Sequence, residues 1–127
     1  MRPWLEAVFD SHGSAPAWYV EELAGQRRRE LVAELVPVVL DQAESALGHR
    51  PEMIVAGNTV GHEQVWAVTR EPALVAIADA VQSLIASRDR VVWPVCPRHL
   101  VGQHPELREG LAVWVCRAGD HVVNQIG

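Results

Sequence analysis

The chain has 127 residues, 49% of them apolar, enough for one domain, or for one small core with a mini-module attached. No apolar run approaches the roughly 18 residues of a membrane-crossing helix. The first residues, Met1-Arg2-Pro3-Trp4-Leu5-Glu6, lack the apolar centre of a secretory signal, so a soluble cytoplasmic protein is expected. The net charge is −5, and all eleven basic residues are arginine. Residues 1–90 carry 13 acids and eight arginines, and residues 91–127 carry three of each. Neither part has the basic footprint of a duplex-DNA binder.

Trp4, Leu5, Val8 and Phe9 form a short apolar patch, sized for one helical turn docked on a core. Residues 10–15 read as loop. Pro16 suits a helix start, and residues 16–47 read as a broken helix. Trp18, Tyr19 and Leu23 fall on one side of a first segment that Gly25 would end. In the main helix, Leu31, Leu35, Val39 and Ala43 recur every fourth residue, and Val32, Val36 and Leu40 widen the stripe. Pro37 lacks an amide proton and crowds the preceding turn, which predicts a kink or two shorter helices. Gly48 is the expected stop.

The rhythm changes in residues 51–69. Met53-Ile54-Val55-Ala56, the turn residues Gly57-Asn58-Thr59 and the strand-favouring run Gln64-Val65-Trp66-Ala67-Val68-Thr69 predict a β-hairpin. Residues 72–87 predict a helix, with Leu74, Ile77, Ala78, Val81, Leu84 and Ile85 on one stripe and Pro72 at its first position.

The tail concentrates the chemistry. Both cysteines and three of the six histidines lie in residues 91–127. Cys96-Pro97-Arg98-His99 has the two-residue spacing of a zinc knuckle, in which a tight turn aims two side chains at one ion. Cys116 follows at the end of a valine-rich run, then His121, giving C-x2-H-x16-C-x4-H. His104 in place of His121 gives C-x2-H-x4-H-x11-C. Either set offers a Zn2+ ion the four sulfur and nitrogen donors it prefers. Such an ion contributes on the order of 10–16 kcal/mol to the folding of zinc-finger peptides. The competing reading makes the cysteines small buried hydrophobes. A disulfide between Cys96 and Cys116 would suit an oxidising compartment better than the cytoplasm.

With Cys96-Pro97, His99, His104-Pro105, Trp114, Cys116 and the closing Ile126-Gly127, the tail resembles the C-terminal element of small uncharacterised proteins of high-GC bacteria. The resemblance covers about 35 residues. It implies a zinc-ribbon-like element and favours His104 over His121. The chain departs from it at Arg117, where a second knuckle usually has proline.

Other motifs are weaker. His62-Glu63 lacks the H-x-E spacing of zinc deaminases. No H-E-x-x-H helix, nucleophile elbow or phosphate-binding loop is present. Arg27-Arg28-Arg29 reads as a solvated face paired with Glu30 and Glu34 rather than as a nucleic-acid contact. Trp93 and Trp114 are placed to shield an ion, and any exposed tryptophan would mark a partner surface.

The expected fold is therefore α+β. N-terminal helices with a small β-hairpin occupy residues 1–90, and a zinc-ribbon-like β module packed on the second helix occupies residues 91–127. The expected role is a noncatalytic zinc-binding interaction or adaptor protein with a protein partner and no membrane. Two other roles stay open: a zinc-ribbon nucleic-acid-binding regulator, which the acidic balance disfavours, and a metal-dependent hydrolase-type enzyme with three protein ligands and a water.

Overall fold

The structure is a computed structural model and describes residues 17–127. The apolar patch at Trp4–Phe9, the loop after it and Pro16 lie outside the described residues. The fold is α+β, as expected. In chain order it comprises helix α1 (Ala17–Leu47), strands β1 (Val55–Ala56), β2 (Thr59–Val60) and β3 (Glu63–Gln64), helix α2 (Arg70–Leu84), a π-helical turn (Ile85–Asp89), and strands β4 (His104–Arg108), β5 (Leu111–Cys116) and β6 (His121–Gln125). Among the described residues no helix is long and apolar enough to cross a membrane.

Helix α1 runs unbroken through both Gly25 and Pro37. The expected interruption at Gly25 is absent, because the stripe beyond it buries Leu31, Val32, Leu35, Val36, Val39, Leu40 and Ala43. That burial outweighs the roughly 1 kcal/mol helix penalty of one glycine. Pro37 is exposed, so the turn it loosens faces water, where freed backbone groups find partners. The helix ends as expected. Gly48 takes φ +82°, and its amide donates to Glu44 O at 2.9 Å, a left-handed C-cap.

Residues 55–64 form three two-residue antiparallel strands rather than one hairpin. Gly57 and Gly61, both at positive φ, each reverse the chain. The second reversal uses residues that a longer return strand would have needed, so Trp66–Val68 stay irregular. Val60 and Val65 are buried under this small sheet. Helix α2 starts at Arg70, two residues before Pro72, and buries Ala73, Leu74, Ile77, Ala78, Ala80 and Val81.

The second sheet has the order β4-β5-β6, antiparallel throughout. Glu109 and Gly110 both take positive φ, as a two-residue turn of the primed type requires. Side chains alternate along β5. Ala112 and Trp114 join the core cluster of the helices, and Val113 and Val115 do not. Trp93 and Trp114 meet edge to face, with centroids 5.1 Å apart. Both pack within that core, which also holds Leu31, Leu74, Ile77 and Ile126.

Three polar contacts fasten the sheet to both helices. Trp114 Nε1 donates to Gln42 Oε1 at 2.8 Å. Gln42 Nε2 donates to Gln125 O at 2.9 Å. The amide of Ala112 donates to Glu71 Oε1 at 3.0 Å.

Truncating Trp114 removes the largest fully buried side chain of the sheet and leaves Gln42 Oε1 without its donor. Trp114→Ala is expected to cost about 3–5 kcal/mol, a large share of the stability of a domain this size. Urea denaturation followed by far-UV circular dichroism measures it.

Candidate metal centre

Cys96 sits at the start of a hairpin over residues 95–102. Val95 pairs with Gly102, the Cys96 amide donates to Val101 O at 2.9 Å, and the Leu100 amide donates to Cys96 O at 2.8 Å. The bond between Trp93 and Pro94 is cis, and Leu100 takes φ +59°. This tight turn carries His99 back over Cys96, as the two-residue spacing requires.

Cys116 and His121 come from the β5–β6 hairpin. The pairing runs Val113↔Gln125 and Trp114↔Asn124, then shifts to Val115↔Val122 and Cys116↔His121. The shift leaves Val123 as the extra residue of a β-bulge. Without it Cys116 would lie opposite Val122. With it Cys116 and His121 are direct partners, whose side chains share one face of the sheet.

The four side chains converge. The ligand atoms of Cys96, His99, Cys116 and His121 all lie within 4.8 Å of one another. His99 Nδ1 is 3.5 Å from Cys96 Sγ and 3.4 Å from Cys116 Sγ. His121 Nε2 is 3.7 Å from Cys96 Sγ. A tetrahedral ion with metal–sulfur bonds of about 2.3 Å and metal–nitrogen bonds of about 2.05 Å would separate S from N by about 3.6 Å. The cluster thus has the dimensions of a Cys2His2 site able to hold one metal ion. Both cysteines are free and buried, His121 is half-buried and His99 is exposed.

Burial raises the pKa of the Cys96 thiol. The His99 amide and ring, the Arg98 amide and the Cys116 thiol outweigh that effect and bring it down to about 6, from an ordinary 9.0. The thiolate is the ligating form, so the pocket prepares one ligand in advance.

Of the five residues singled out in the sequence, the structure gathers these four and leaves His104 apart. His104 pairs with Val115, the neighbour of Cys116. Directly opposite residues share a face, and adjacent ones do not. His104 therefore belongs to the Val115 face and lines a cleft with Gln82 and Val92. His62 and Glu63 also stand outside the cluster. Glu63 lies beside Asp79, and its pKa is raised by burial and then by the charge and hydrogen bond of Asp79. Among the described residues no carboxylate joins the four. Asp120 pairs instead with Arg108 at 3.3 Å.

Gly119 is a site residue that spacing does not reveal. A Cβ there would lie 2.5 Å from His99 Cε1 and 2.7 Å from His121 Cδ2, closer than real Cβ atoms approach. Both imidazoles use the space of the missing methyl. A glycine between Cys116 and His121 was the only signal, and it reads equally well as an ordinary turn residue.

The chain matches no family model, no curated protein and no solved structure.

Two outcomes are expected. Gly119→Ala should lower metal affinity at least about tenfold, comparable to losing a group that orients a ligand, with the helical circular dichroism unchanged. Competition with a chromophoric chelator measures it, and affinity equal to the parent's would show that the imidazoles do not need the gap. The second concerns pH. The folded-state pKa of Cys96 is depressed, so the folded form holds fewer protons than the unfolded chain between about pH 6 and 9. Its contribution to the stability of the metal-free protein is complete above the upper value and is lost as pH falls through about 6. Urea midpoints across that range should rise with pH more steeply than those of Cys96→Ser.

Proposed function

We propose that the protein is a small zinc-binding protein whose Cys96, His99, Cys116 and His121 hold one structural Zn2+. In this reading it is a noncatalytic interaction module of the adaptor kind. The observation that carries the reading is the convergence of the four donor atoms within 4.8 Å, with three of the sulfur-to-nitrogen separations at 3.4–3.7 Å against about 3.6 Å for a tetrahedral zinc site. Two thiolates and two imidazoles also suit a borderline-soft ion better than they suit calcium or magnesium.

Four protein donors close the coordination sphere and leave no position for a reacting water, which supports a structural role over a hydrolytic one. The ion would tie the 95–102 hairpin to the β5–β6 hairpin, two pieces of chain that no strand ladder joins. The exposed Val95, Leu100 and Val101 of the tied 95–102 hairpin support the interaction reading. Trp93 and Trp114 are buried in the core, so they fix the tail and are not offered to a partner. Trp18 and Trp66 are the exposed tryptophans among the described residues.

The purified protein is expected to carry one zinc per chain. His121→Ala should weaken zinc binding more than about a hundredfold, beyond the 10–100-fold cost of losing an outer-shell partner. His104→Ala should leave it unchanged. Metal analysis after dialysis against a competing chelator, with the absorption spectrum of the cobalt-substituted protein, reads both. Full retention by His121→Ala would overturn the ligand set.

A further inference from the structure

We propose that the 95–102 hairpin and the segment leading into it form a docking surface for a protein segment that combines large apolar side chains with carboxylates. The proposal rests on the reading of the tail as a zinc-fixed interaction module, and it adds the place and the chemistry of the contact.

Five large apolar side chains of this short stretch face water: Val91, Val92, Val95, Leu100 and Val101. Leu100 is 77% exposed and Val92 61%. They lie within eleven consecutive residues, 91–101. Val95 pairs with Gly102, the Cys96 amide bonds Val101 O, and a Cβ on Gly102 would meet Val92 Cγ1 at 3.0 Å. Single exposed apolar residues are ordinary, whereas a clustered set marks an interaction site. Leu100 also holds a left-handed φ of +59°, unfavourable for a leucine. The turn keeps a large apolar side chain at its tip where a glycine or asparagine would cost less.

Charge selects the partner. The protein as a whole carries −5, yet residues 90–105 contain no acid and two arginines, Arg90 and Arg98. Arg50, Arg70, Arg88, Arg108 and Arg117 each have a carboxylate partner. Arg90 and Arg98 have none among the described residues, and they lie in the same short stretch as the apolar side chains. The neighbouring acid, Asp89, is taken by Arg88 at 3.1 Å. An acidic and apolar segment would find its carboxylates complemented there and its side chains received by the valines and Leu100. Nucleic acid fits less well, because the patch offers no exposed tryptophan, tyrosine or phenylalanine for a base to stack on and only two cations.

The experiment is selection from a displayed library of random peptides on the full-length protein as purified, with its metal content measured. Enriched peptides should pair Leu, Ile or Phe with Asp or Glu. Leu100→Asn, whose side chain suits the left-handed turn, should keep its metal and weaken the enriched peptides at least about tenfold. Arg98→Glu should abolish the acidic bias.

The proposal fails if nothing is enriched, if the peptides are neutral or basic, or if Leu100→Asn binds them as the parent does. It fails equally if an oligonucleotide binds with steep salt dependence through Arg90 and Arg98. A dimer in sedimentation that Leu100→Asn dissolves, or peptide binding that appears only once residues 1–16 are deleted, would assign the surface to a second copy or to the chain's own N-terminus. The metal reading is tested separately. Acidic-peptide binding through Leu100 in a protein that holds no zinc would overturn that reading alone, and zinc retention without selection would overturn the docking surface alone.

Discussion

A one-residue offset between β5 and β6 decides which side chains meet in this protein. Trp114 pairs with Asn124, and Val115, one step on, pairs with Val122. Because side chains alternate along a strand, a slip of one residue exchanges the two faces of everything beyond it. Val123 absorbs the slip, and His121 comes to face the way Cys116 faces. The bulge thus converts a two-stranded ribbon with a cysteine and a histidine on it into half of a Cys2His2 cluster.

Strand β5 also joins the cluster to the rest of the fold. Trp114 and Cys116 are two residues apart and share a face. Trp114 is held in the helical core by Trp93 at 5.1 Å and by Gln42 at 2.8 Å, and Gln42 in turn grips Gln125 of β6. A shift of β5 against helix α1 would therefore move Cys116 as well. The helices fix one half of the cluster through packing. The other half, on the 95–102 hairpin, is held by its turn hydrogen bonds and by the bond from Gln103 N to Pro94 O at 2.8 Å.

What was legible in the sequence was what depends on near neighbours. The stripe of α1 follows from a period of 3.6 residues, and its buried set from Leu31 to Ala43 is the set that the period selects. Gly48 is a local backbone requirement, and Cys96 with His99 is a local spacing. Gly25 misled because a glycine's cost was weighed without the apolar burial that overrides it. The paired strands at 55–64 came out as three short ones because two glycines, Gly57 and Gly61, each turn the chain where one turn was expected. The choice between His104 and His121 was beyond local reasoning. It depends on the register of β5 with two neighbours, and a bulge leaves no mark in composition. The resemblance favoured His104, whereas the sheet places that residue with Val115. Gly119 was hidden for a related reason, since its role is to leave room for two rings that only the tertiary structure brings to it.

The same geometry accounts for why a small hairpin can expose so much apolar surface. Residues 95–102 bury Cys96 and little else, so the hydrophobic effect acting within this segment favours collapse of Val95, Leu100 and Val101 onto one another or onto the helices. The backbone opposes that collapse at both ends. At one end Trp93 is locked against Trp114, and at the other Gln103 is buried, its carbonyl held by Gln82 of α2. Between them the knuckle turn bonds its amides inward toward Cys96 O and the Cys96 thiol, and side chains on the outside of such a turn have only solvent to face. A cation shared by Cys96 and Cys116 would stiffen this arrangement further, because inverting the turn would then break metal–ligand bonds as well as hydrogen bonds. The exposure of Leu100 follows from how the cluster is built, and a partner that buries it would recover the hydrophobic free energy that the turn withholds.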